Sequence, residues 1–521
     1  MSISSISSGS ALTGAPYLAV NQTSAAQTPS QVAETSDQAT TSPIAPLNPS
    51  TSPINIPPLA PTNPLGAPVW GNSPDDPVSQ VMGGDFLATT LAGRFAGLGA
   101  ALLTRFKTTT DNFSQWEIIP PPTAGQPPPN AGSKPFDSSI SGNIVLNVTT
   151  VSGVKVEVDI SSLGNLAVQV TSSGSLTNKE QLALANLAKG FQAAIDGMTA
   201  STPTIDISGL TQFDPTVLSS VNLSIQLQSN SAPMTLDFQA NSTQRSVNAT
   251  MAGGSIGVNV NLTDPAVIGT AAQQAKAISN YVQQFTQEAS RDPNADPTLM
   301  VMFTAGFTQI NSNYPPANPL AFNSSPTVRT AQDHAMLTGL ADFQASVTEA
   351  PTSPNPLRLD EVDHFSYEAS QITSITGPSY PNRVITQLQQ SSLSASYHKS
   401  LTPSVPLQLT TNKESQNYYY EQIDDNSSAS TTIGYTKKVL SQASIAKSAS
   451  QTNHESKYVQ AALVADTVTP ESASNTKDLM GLLAPYQSQL PQDAAKWAQV
   501  LAAINNEVYL QSDPIQLAGC M

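Results

Sequence analysis

A chain of 521 residues with 37 acidic and 21 basic side chains has a formal charge of −16, and only 11% of its residues are charged, against about 25% in an average soluble protein. So few and so scattered lysines and arginines argue against nucleic-acid binding, which depends on counterions released by clustered cations, and against electrostatic attachment to anionic lipid. A single cysteine, Cys520, excludes intrachain disulfides and cysteine-based zinc sites.

Nothing basic occurs before Arg94, so the positive n-region of a cleavable signal peptide and the Arg-rich pattern of a transit peptide are both missing. The opening, MSISSISSGSALTGAPYLAVNQTS, is small, polar and uncharged. Over residues 1–30 it resembles the uncleaved Ser-rich leaders of bacterial type III and flagellar-type export substrates, a resemblance of composition without a strict motif. It implies secretion by a non-Sec route; an ordinary polar tail would leave the protein cytoplasmic. Residues 1–80 offer few large apolar side chains to offset the entropy of ordering and are expected to form a disordered leader.

Residues 81–117 open with VMGGDFLATTLAGRFAGLGAALLTRF, a short helical segment with Gly93 and Gly97 on one face. Its apolar run is too short for a bilayer span, so no transmembrane segment is expected. Two triple-proline runs make 118–135 a semi-rigid linker.

Residues 136–291 are expected to form an α+β domain. In NIVLNVTTVSGVKVEVDI, apolar side chains occupy every second position on both sides of Gly153, the pattern of an antiparallel hairpin. NLAVQVT adds a strand, and TNKEQLALANLAKGFQAAIDGM then opens with Thr177 and Glu180 at capping-box spacing and carries a Leu184–Leu187–Phe191–Ile195 stripe. VNLSIQLQ, MTLDFQA, SVNATM and SIGVNVNL supply four more strands, and Asp264–Pro265 starts a second amphipathic helix through Phe285. The economical fold is one antiparallel sheet of about seven strands over 143–262, covered on one side by two amphipathic helices. Residues 292–521 form a mixed region: TLMVMFTAGFTQI is a buried helix or strand, HFSYEASQI, SLSASYHKSL, NYYYEQIDD and TTIGYTKKV are Ser- and Gln-diluted strands, and helices return from residue 474.

Chemistry is sparse. GGSIG at 253–257 has the letters of a serine-hydrolase elbow, but Ser255 precedes a strand where the elbow needs a helix. RDPNADP, with Asp292, Asn294 and Asp296, lacks the glycine and glutamate of a calcium loop. Tyr418, Tyr419 and Tyr420 are either a stacking platform or ordinary strand residues. The densest polar cluster is RLDEVDHFSYE, where Asp360, Asp363 and His364 are the candidates for a divalent metal or acid–base work. A solvated loop entering a strand accounts for the same letters. No cofactor fingerprint occurs, so no cofactor is expected. The expected function is that of a non-enzymatic bacterial protein, exported or surface-associated, that binds a protein partner. The alternatives are a secreted hydrolase-like effector with its site in the C-terminal region and a structural component of an envelope appendage.

Overall fold

Strand alternation runs through far more of the chain than 143–262, and it builds one fifteen-stranded antiparallel sheet. The computed structural model describes residues 68–118, 141–163, 165–228, 233–314, 324–486 and 494–519. The expected leader up to residue 67, the expected linker from residue 119 onward, and Cys520 lie outside the described residues.

The first strands are β1 (Val69–Trp70), β2 (Phe113–Ile118), β3 (Ser141–Thr150), β4 (Lys155–Ser162) and β5 (Leu166–Ser172). They are followed by β6 (Leu218–Gln228), β7 (Pro233–Asn241), β8 (Gln244–Met251), β9 (Gly254–Asn261) and β10 (Asp342–Glu349). The last five are long: β11 (His364–Ser379), β12 (Asn382–Ser400), β13 (Tyr418–Thr436), β14 (Val439–Val459) and β15 (Ala462–Asp478). β3, β4 and β5 meander back toward β2, β6 pairs on the free side of β3, and from there each strand pairs with the next to β15 at the edge.

The expected fold is therefore overturned: the strands over 143–262 are the middle of a sheet with fifteen, and the cover is not two helices. The reason lies on the inner face. From β3 to β10 it is apolar, as in Ile144, Leu146, Val158, Leu223, Phe238, Val258 and Val347. From β11 onward Gln371, Gln387, Gln389, Glu421, Asp425 and Ser427 share that face and are equally buried. The outer face is mostly polar, with Ile372, Val384 and Leu388 among its apolar exceptions. One row crosses the sheet as Asn147, Asn222, Gln239, Ser246, Asn259, Gln344, Ser370, Gln390, Ser428, Ser448 and Ser474. Where both faces are polar, the two-residue hydropathy signal fades although the strand persists.

Helices fill the inner side. α1 (Pro77–Asp85), α2 (Leu91–Arg94) and α3 (Leu98–Thr104) replace the single helical segment expected over 81–117, which its glycines break: Gly97 sits at φ 73° between α2 and α3. α4 (Asn178–Asn186) and α5 (Ala188–Thr199) divide at Leu187, and the Thr177–Glu180 capping box forms. Asp264–Pro265 opens only a 3₁₀ turn, and α6 (Ala271–Ala289) starts at its own Thr270–Gln273 box. α7 (Pro297–Ile310), capped by the Asp296 carboxylate, packs Phe303 4.7 Å and Phe307 4.9 Å from Phe285 of α6. α8 (Ala331–Ala335), α9 (Met480–Leu483), α10 (Ala494–Glu507) and α11 (Pro514–Gly519) complete the cover. Among the described residues no helix is long and apolar enough to cross a membrane.

Candidate functional site

The segment 350–363 leaves β10, folds across the outer face at one end of the long strands, and returns as β11. A backbone bridge between Thr352 and Asp363, with N–H to O distances of 3.0 and 2.8 Å, pins its two ends together. Beneath it, strand alternation brings His398 of β12 and Tyr418, Tyr420 and Tyr458 of β13 and β14 onto the same face. The His398 Nδ1–H donates to Asp363 Oδ1 at 2.5 Å and its Nε2–H to Glu361 Oε2 at 3.1 Å. The same Glu361 oxygen accepts the Tyr418 hydroxyl at 2.6 Å. Asn355 donates to the Tyr418 oxygen and to Gln416 Oε1, both at 2.9 Å. Tyr418 stacks on Tyr458 at 4.8 Å between centroids, and the Arg358 guanidinium lies 4.4 Å above the Tyr458 ring.

Both ring nitrogens of His398 face carboxylates, so both carry hydrogen and the ring is an imidazolium. Burial alone would lower its pKa, but the bonds to Asp363 and Glu361 reverse that and raise it. Burial would raise the Glu361 pKa, while the bonds from His398, Tyr418 and Tyr458 carry it below the ordinary carboxylate value. Burial and its bond to Glu361 push the Tyr418 phenol up. These bonds clasp the 350–363 loop to the strands.

The three sequence candidates part company here. Asp363 joins His398. His364 turns along the outer face to Ser396 Oγ at 2.7 Å and Ser394 Oγ at 3.2 Å. Asp360 is exposed on the loop. Among the described residues no group of three or more His, Cys, Asp or Glu is placed to hold a metal ion. Tyr418 and Tyr420 are buried in the clasp, while Tyr419 points to the other face beside Lys399 and Lys457. Ser255 lies exposed in β9 behind a glycine turn. Asp292 and Asp296 serve a local turn and the α7 cap. His398 carried no local motif; only its place on the outer face of a strand, opposite Tyr420, signals its role.

The open surface lies at the other side of the clasp. Among the described residues β15 is the last strand of the sheet, its residues almost all exposed, with Leu463, Val464 and Val468 52%, 55% and 58% accessible. Asp466 accepts from Ser456 Oγ and His454 Nε2, both at 2.7 Å, tying β15 to β14. At the opposite margin β1 has only 2 residues, against 17 in β15. Sequence patterning overlooked this strand because LVADTVT does not alternate and Pro470, Glu471, Ser472 and Asn475 follow it.

No family model, no curated protein and no solved structure matches the chain.

Proposed function

We propose that the protein is a non-enzymatic partner-binding protein, exported or carried at a bacterial surface, and that the β15 edge receives an extended segment of the partner as an added strand. The observation that supports this is the edge itself: 17 residues long and capped by no further strand among the described residues. A row of unpaired backbone donors and acceptors is a ready template for another chain. Leu463, Val464 and Val468 supply apolar contact, and Asp466 and Glu471 favour a partner segment without acidic side chains.

The test uses full-length protein and a partner first recovered on it and then purified. Amides of 462–472 gain hydrogen-exchange protection when that partner binds, and Val464→Lys with Val468→Lys abolishes binding without changing the circular dichroism. Undiminished binding by the double variant, or no added protection, refutes strand addition; protection that rises with protein concentration alone assigns the edge to self-association. Export is tested separately: if deleting residues 1–30 leaves the cellular location unchanged, that part fails. A catalytic alternative centred on Asp363 and His364 loses its candidates if substituting both leaves toxicity and metal uptake unaltered.

A further inference from the structure

On the inner face, beside the same margin of the sheet, a cleft of about 640 Å³ opens between α6, the last two strands and the segment joining α10 to α11. Three lysines converge on it from three separate elements: Lys276 from α6, Lys447 from β14 and Lys477 from β15. One acid, Glu507, accompanies them. In a chain with 37 acidic and 21 basic residues, a cleft with three cations and one anion inverts the local charge. We infer that this cleft binds a small organic dianion, carrying a phosphate or paired carboxylates.

The fittings agree with that ligand. Lys276 donates to Asn506 Oδ1 and sits 5.2 Å over the Tyr509 ring, which fixes its ammonium at the rim. Lys477 contacts Glu507 at 3.2 Å, but the two side chains are 49% and 45% exposed, so the pair is weak and a ligand anion can displace the glutamate. Asn280, on the α6 wall, has a buried side-chain oxygen with no hydrogen-bond partner. Rotating that amide by half a turn presents its NH₂ group instead, since oxygen and nitrogen exchange places at no steric cost. Ile445, Leu510 and Leu517 give the floor an apolar patch for a short carbon skeleton. The volume falls in the range of small-molecule sites, roughly 300–1,000 Å³. Lysines acting as point charges suit phosphate and carboxylate alike.

The test is titration calorimetry of the full chain with glycerol 3-phosphate and, separately, succinate, against chloride at matched ionic strength. The expected result is saturable one-site binding of at least one probe with Kd below about 1 mM. Lys276→Gln or Lys477→Gln should weaken it about tenfold, as expected for loss of a charge-assisted hydrogen bond. Glu507→Gln should tighten it, and Lys437→Gln with Lys438→Gln, in the remote β13–β14 turn, should leave it unchanged. Lys477→Arg should restore part of the affinity and so separates lost charge from lost fold. Preference for one probe identifies the phosphate or the carboxylate form. The assignment is overturned by absence of saturable binding for both probes, or by equal affinity in the Lys276 and Lys477 variants.

Discussion

Replacing His398 by Gln removes the positive charge from a cluster that has been built around it. The imidazole side chain is 1% exposed, and it bridges Glu361, 6% exposed, and Asp363, 23% exposed. Removing one partner of a buried ion pair costs roughly 3–5 kcal/mol, because the other charge is left uncompensated. Here Asp363 can rehydrate, and Glu361 keeps the Tyr418 hydroxyl at 2.6 Å, which places the cost at the lower end, about 3 kcal/mol. The loss should fall first on the 350–363 loop, whose attachment depends on the clasp.

The pH dependence has a definite sign. His398 has a folded pKa above the ordinary 6.5, so its contribution is complete below that value and fades as pH rises through the raised one. Glu361 has a folded pKa below the ordinary 4.5, so its contribution is complete above that value and fades as pH falls through the lowered one. The clasp is therefore tightest between those two ordinary values and loosens on either side. Urea unfolding and hydrogen exchange of the 352–363 amides, at about pH 5.5 and about pH 9, measure it. The wild type should lose protection at the higher pH, and its advantage over His398→Gln should shrink there. Absence of any advantage over His398→Gln at about pH 5.5 would show that the ring is not held as an imidazolium.

Three further outcomes follow from other buried groups. Glu288 of α6, whose pKa burial raises from 4.5 to about 7, is protonated in the fold and opposes it once forced to ionise; Glu288→Gln should therefore stabilise the protein by about 3 kcal/mol in urea titrations well above neutrality and hardly at all near about pH 4. Asp333 accepts Arg383 Nη2 at 2.6 Å and the Tyr435 hydroxyl at 2.7 Å with both charged side chains almost fully buried, so Asp333→Asn should cost roughly 3–5 kcal/mol and lower the melting temperature, with full retention of the wild-type value refuting the pair's role. A Cβ at Gly190 of α5 would lie 2.6 Å from the backbone carbon of Gly209, so Gly190→Ala should destabilise by about 3 kcal/mol in thermal unfolding; Gly84→Ala, which meets nothing within 4 Å, is the matched control.

What could be read in the sequence, and what could not, divides at β10. Ile144, Leu146 and Val148 of β3 answer Val156, Val158 and Ile160 of β4 across an apolar inner face and a polar outer one. Period-two reasoning depends on that contrast. In the first half of β12 the inner positions are Arg383, Ile385, Gln387, Gln389 and Ser391, against Val384, Thr386, Leu388 and Gln390 outside. The strand is equally regular but the contrast is gone, which hides the size of the sheet. The candidate residues separate for a related reason. Asp363 was visible as a carboxylate near a histidine, but its partner is His398, thirty-five positions away, while the neighbour His364 points elsewhere. Local density of ionisable letters reports sequence proximity; the clasp is made by register.

The same buried glutamines add a fixed register to the C-terminal segment, whose Ile504, Val508, Tyr509 and Leu510 are buried in the core. Buried backbone must find hydrogen-bond partners, and a loop crossing an apolar sheet would find none. Here Gln389 accepts from Leu510 N–H at 3.1 Å and donates to Val508 O at 2.7 Å. Gln371 donates to Leu340 O at 3.0 Å, and Gln387 accepts from Thr338 N–H at 2.9 Å. Gln284 of α6 accepts from Ser512 N–H at 3.0 Å. The side-chain amides thus read loop backbone as a neighbouring strand would, and they place residues 508–512 along one wall of the lysine cleft. A hydrophobic cover could slide; paired amide bonds have one register, since a shift leaves buried donors and acceptors unpaired. The polar inner face that conceals these strands from sequence patterning is therefore what gives this side of the sheet a fixed cover and the cleft a fixed shape.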